Sequence, residues 1–130
     1  MSTRRKPRAP AQVHIWLVLL AVTIGAAAPA VAHDVLVASS LRNHPVQAGI
    51  ATAVTLRFNA KIEPSLSKVL LLATGGKARA LDIARGRQAG EIVVQLPPLP
   101  PGVYGLRYKI LASDGHLTDE TLRFTVREQP

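Results

Sequence analysis

From residue 33 onward, short runs of apolar residues alternate with polar ones and stop at turn residues. No stretch keeps the 3.6-residue period of a long amphipathic helix. Val35–Ser39 is the first run. Val54, Leu56 and Phe58 alternate with Thr55 and Arg57, the period of two that turns one strand face to a core. Lys68–Ala73 is an apolar run closed by the turn Thr74-Gly75-Gly76. Lys77–Ile83 predicts a weaker strand, followed by a Gly- and Arg-rich loop from Arg85 to Gly90. Ile92, Val94 and Leu96 alternate again and stop at Pro97-Pro98. After Pro100-Pro101-Gly102 the pattern predicts the longest strand, with Tyr104, Leu106, Tyr108 and Ile110 on one face. The last strand puts Leu122, Phe124 and Val126 inward and Arg123, Thr125 and Arg127 outward. Ile62–Ser67 has room for one helical turn. About seven short strands separated by turns predict an all-β fold, an antiparallel Greek-key β-sandwich of immunoglobulin-like type. The prolines from Pro97 to Pro101 lie between two strand patterns, so they read as a rigid turn rather than a polyproline ligand.

The first 32 residues follow a different pattern. Arg4, Arg5, Lys6 and Arg8 make a basic start, Val13 to Ala28 an apolar stretch, and Ala30-Val31-Ala32 a small-residue cut site. Residues 1–32 are therefore expected to be a cleaved secretory signal and residues 33–130 one domain, placed in the periplasm without stable membrane insertion. Two readings compete with a cut after Ala32. The apolar stretch approaches membrane-spanning length, and a cut after Ala30 would start the mature chain at Val31-Ala32-His33.

Cleavage after Ala32 leaves 98 of the 130 residues, enough for one core and too few for two. It removes four of the sixteen basic residues and none of the eight acidic ones, lowering the formal charge from +8 to +4. The remaining basic residues (Arg57, Lys61, Lys68, Arg79, Arg107, Arg123) are scattered and lack interleaved aromatics, which argues against nucleic-acid binding. Cysteine is absent, and the single methionine and single tryptophan are Met1 and Trp16, both in the signal. With no sulfur in the mature chain, the soft ligands that select Cu(I) are missing, and any metal site must use nitrogen and oxygen donors.

Cleavage after Ala32 makes His33 the terminal residue. Its free amine and imidazole can grip one ion in a six-membered chelate. After the earlier cut, a histidine in third position binds Cu(II) through amine, amides and imidazole. Asp114-Gly115-His116 lies between the two strongest strand patterns. Its plain reading is a hairpin turn. Its chemical reading is a carboxylate and an imidazole aimed at one point by a glycine turn. Together with His33 these give three nitrogens and one oxygen, a set suited to the tetragonal preference of Cu(II). The expected metal ligands are thus His33, Asp114 and His116, holding one Cu(II) per chain. His44, beside Pro45, reads as a solvated loop residue. Ser39, Ser40 and Ser113 carry no nucleophile motif, and no phosphate-binding glycine loop is present.

These features together make the chain resemble the CopC copper-resistance family. The resemblance rests on His33 after an Ala-x-Ala cut site, Val35-Leu36-Val37, and Val54–Phe58 leading to Lys61-Ile62-Glu63-Pro64. It extends to Leu99-Pro100-Pro101-Gly102-Val103-Tyr104, Ser113-Asp114-Gly115-His116 and Phe124-Thr125-Val126. It implies a β-sandwich that binds Cu(II) through the terminal amine and imidazole of His33 plus Asp114 and His116. The lack of mature methionine matches members without a Cu(I) site. An inner-membrane copper transporter is the implied partner. Leu41, Tyr108 and Glu120 depart from the family pattern, which there favours proline, tryptophan and glycine. The function implied is a non-enzymatic periplasmic carrier or buffer of Cu(II). A metal-free immunoglobulin-like interaction module and a histidine-brace copper oxidase of polysaccharides are the alternatives.

Overall fold

The computed structural model describes residues 3, 5, 7 and 35–130. The chain divides into two units, Met1–Ala30 and Val31–Pro130. Most of the expected signal segment, together with His33, lies outside the described residues. Every described strand and every described buried residue belong to the second unit, so it carries what it needs to fold on its own.

Nine strands are formed among the described residues: β1 (Leu36–Ser39), β2 (Val46–Gln47), β3 (Thr52–Phe58), β4 (Lys68–Ala73), β5 (Arg79–Leu81), β6 (Ile83–Arg85), β7 (Glu91–Leu96), β8 (Gly102–Leu111) and β9 (Leu117–Arg127). They make two sheets, ordered β1-β3-β7-β6 and β2-β9-β8-β4-β5. The all-β sandwich expected from the pattern is present. The alternating positions do what their period demands: Val54, Leu56 and Phe58 of β3 meet Ile92, Val94 and Leu96 of β7. From the other sheet come Val69, Leu71, Leu106, Tyr108, Ile110, Phe124 and Val126. Full burial of one such side chain contributes roughly 1.5–3 kcal/mol.

The structure corrects four details. Lys77–Ile83 is not one strand, because the chain crosses between sheets at Asp82, giving β5 to one sheet and β6 to the other. β9, with 11 residues, is longer than β8, with 10. The helical turn in 62–67 is a single 3-10 turn, Pro64–Leu66. β2, too short to show any period, pairs with β9 in parallel, the one exception to the antiparallel rule.

Two departures from the family pattern turn out to be cross-strand neighbours. Tyr108 lies opposite Glu120 in the β8–β9 register and donates its hydroxyl hydrogen to Glu120 Oε2 at 3.2 Å. The ring is buried and meets Phe58 edge-on, with centroids 5.4 Å apart. Burial pushes the Tyr108 hydroxyl up to about 12, and the charge and hydrogen bond of Glu120 push the same way. An unfolded tyrosine ionises near pH 10. Stability is therefore complete below pH 10 and drains away as pH rises from 10 to about 12. Chemical denaturation over that range is expected to show this decline, and Tyr108→Phe to flatten it.

Candidate metal centre

The turn that joins β8 to β9 is closed by its own backbone: Ala112 N–H donates to the His116 carbonyl at 2.9 Å, and Gly115 N–H to the Ala112 carbonyl at 2.9 Å. Gly115 takes φ +90°, with open space where a side chain would be. Asp114 folds back as an Asx turn, its Oδ1 accepting the His116 backbone N–H at 3.1 Å. Its other oxygen, Oδ2, lies 3.0 Å from His116 Nδ1. The His116 backbone N–H, and after it the imidazole, hold the Asp114 carboxyl below its ordinary range. Both side chains are about half exposed.

This contact has a chemical consequence. A carboxylate on Nδ1 favours the tautomer with the proton there, which makes Nε2 the ring's lone-pair donor atom. The turn thus presents one imidazole nitrogen and one carboxylate, already oriented, at the end of a rigid hairpin.

A second segment, Asn59–Glu63, holds two parts of the molecule. Asn59 Oδ1 accepts the Val35 N–H at 2.9 Å, while Asn59 N–H donates to the Val35 carbonyl at 3.1 Å. Two residues on, the Lys61 carbonyl accepts the Ser113 N–H at 2.8 Å, and Ile62 bridges to Ala112. The Ser113 hydroxyl lies 3.2 Å from the Lys61 carbonyl and 3.1 Å from Glu63 Oε1. The start of the described domain and the Asp-Gly-His turn are therefore clamped to the same few residues. Ser113→Ala removes only the hydroxyl contacts and is expected to cost about 1 kcal/mol. A thermal melt should show a fall of about 4–8 °C.

Of the three expected ligands, the structure brings Asp114 and His116 together; His33 lies outside the described residues. His44 is exposed and stands apart, in a hollow shared with Arg57, Gln88 and Glu91. Among the described residues no group of three His, Cys, Asp or Glu side chains could hold a metal. Asn59 and Ser113 have structural roles that periodicity could not reveal, because their partners lie 24 and 50–52 residues away.

The domain is thus a two-sheet β-sandwich whose longest hairpin ends in a carboxylate–imidazole pair. The CopC domain matches residues 36–127, a span that takes in Asp114 and His116 but starts after His33. The chain belongs to the CopC family. Among solved structures it is similar to CopC from Methylosinus trichosporium OB3b, with 27% identity, TM-score 0.60, and coverage of 75% of this chain and 97% of that one. It is also similar to PcoC, a methionine-rich copper resistance protein from Escherichia coli. There the identity is 25% and the TM-score 0.57, covering 74% of this chain and 100% of that one. None of the curated proteins matches this chain significantly.

Proposed function

We propose that this protein is a periplasmic copper-resistance protein that binds one Cu(II) per chain and carries or buffers it. The terminal amine and imidazole of His33 supply two donors and His116 Nε2 a third. Asp114 orients the His116 ring and adds negative charge. The observation that carries this reading is the shared clamp. Val35 and Ser113 are both tied to Asn59–Lys61, and two residues of chain span at most about 7 Å. So short a link is compatible with His33 reaching the turn, and this supports the reading. The family membership and the copper-resistance role named for PcoC support the choice of metal. PcoC is methionine-rich, whereas the single methionine here is Met1. The donors are therefore nitrogen and oxygen, which suit Cu(II) better than Cu(I). The role assigned is binding and delivery, not catalysis, with an inner-membrane copper transporter as the partner.

The test is a Cu(II) titration against a competing chelator, using protein that begins at His33. One tight equivalent is expected. Asp114→Asn should weaken it by about 10–100-fold, the usual cost of losing a group that orients a ligand, and His116→Ala by more. Affinity should also fall with pH, because the amine and both imidazoles bind only after losing protons. Weak binding that His116→Ala leaves unchanged would favour a metal-free interaction module instead.

A further inference from the structure

At the other end of β9 from the Asp-Gly-His turn, three arginines surround one hollow. β2 pairs with β9 only at Val126 and Arg127, so among the described residues no strand lies beside this edge of β9 from Leu122 to Thr125. The loop after β1 faces that edge across a cavity of about 210 Å³. Leu41 and Phe124 are among its apolar lining, while Arg42, Arg123, Thr125 and Arg127 supply its polar groups. Arg123, Thr125 and Arg127 fall on the outward positions of β9, so the two guanidinium groups flank a hydroxyl. All three arginines are exposed.

Unpartnered arginines occur elsewhere in the molecule, but here three share one hollow. Arg107 forms a two-pronged pair with Asp119 at 2.8 and 2.8 Å, and Arg85 lies 4.0 Å from Glu63. Among the described residues, the side chains of Arg42, Arg123 and Arg127 have neither hydrogen-bond nor ion-pair partner. No Asp or Glu lines the hollow. Three like charges around one cavity repel each other, and an anion placed among them turns that cost into attraction. The planar fork of guanidinium matches the oxygens of a phosphate group better than it matches a point acceptor. The arginines converge from a loop and a strand on a compact space, which fits a small tetrahedral anion better than an extended acidic peptide. The apolar lining leaves room for an organic tail.

We propose that this hollow is a binding site for a phosphate group, either free or as the headgroup of an anionic lipid. Arg123 is seven residues beyond His116, about 23 Å along an extended strand. Binding here holds one end of the sandwich and leaves the Asp114–His116 turn exposed at the other. The proposal does not depend on the copper reading.

The test follows the amide signals of the ¹⁵N-labelled unit from Val31 to Pro130 at fixed ionic strength. Inorganic phosphate is one probe; dihexanoyl phosphatidylglycerol, kept below its micelle concentration, is the other. Saturable shifts at Arg42 and at 123–127 are expected. Equal affinity for both probes identifies free phosphate as the ligand. Tighter binding of the lipid, with Leu41 and Phe124 also shifting, identifies the headgroup. Arg123→Gln and Arg127→Gln should each raise Kd about tenfold. Arg79→Gln, a similarly unpartnered arginine away from the hollow, should leave it unchanged. Absence of shifts at these residues with both probes would overturn the proposal. So would shifts that survive both substitutions.

Discussion

One glycine added before His33 is expected to cost the protein its tight copper site while leaving the fold untouched. The proposed chelate needs the amine and imidazole of a single residue, joined through Cα, Cβ and Cγ in a six-membered ring with the metal. An added residue turns that amine into an amide, which is a poor donor unless deprotonated, and moves the new amine three atoms away. Two donors delivered at once become one imidazole that must find the metal together with His116. Linking two binding groups raises overall affinity by about 10²–10⁴-fold, and breaking the link gives that up. The extended protein should therefore bind Cu(II) about a thousandfold more weakly in the same chelator competition. Its melting temperature without metal should be unchanged, because the buried core among the described residues is built from Val46 onward. Equal affinity of the two proteins would remove the terminal amine from the site. Mass spectrometry of the secreted protein then decides between the two cut sites. A chain starting at Val31 would bind through a third-position histidine, with a different Cu(II) spectrum.

The parts of this architecture visible in the sequence are those with a local period. Val54-Leu56-Phe58, Ile92-Val94-Leu96 and Leu122-Phe124-Val126 alternate because one sheet face is buried and the other meets solvent, and each triplet points as its period requires. The Asp-Gly-His turn was visible for a similar reason, since its glycine and Asx chemistry act within three residues. What was hidden depends on distant partners. Asp82 carries the chain from one sheet to the other inside what reads as a single weak strand, and no residue type marks such a crossing. Asn59 looks like an ordinary loop residue until its amide is found on Val35. Tyr108 and Glu120 read as two unrelated departures, yet the hairpin register makes them a pair.

Among single substitutions, Gly90→Ala should do the greatest damage to the fold. Gly90 ends the loop before β7, is buried, and has φ +78°. Its carbonyl accepts the Phe58 N–H at 2.8 Å, so its backbone lies directly against the end of β3. An added Cβ would sit 2.6 Å from both the Phe58 and Ala60 carbonyl oxygens. These are backbone atoms and cannot rotate away as a side chain can. Left-handed backbone costs an alanine about 1–2 kcal/mol, and overpacking of this kind adds about 1–3 more. The sum, roughly 2–5 kcal/mol, is a large share of the whole stability of a domain this size. Thermal melts should fall by at least about 8 °C, at about 4–8 °C for each kcal/mol. Gly75→Ala serves as the control: φ there is +69°, but nothing lies within 4 Å of the added Cβ, so only the backbone term applies. A drop of similar size in both variants would mean that the Phe58 and Ala60 contacts are not what requires glycine at position 90. The same displacement has a functional consequence, because Phe58 and Ala60 flank Asn59, which holds Val35, and lie just before Lys61, which holds Ser113. Gly90→Ala should therefore weaken Cu(II) binding even at temperatures where the variant is still folded, whereas Gly75→Ala, in the turn after β4, should not.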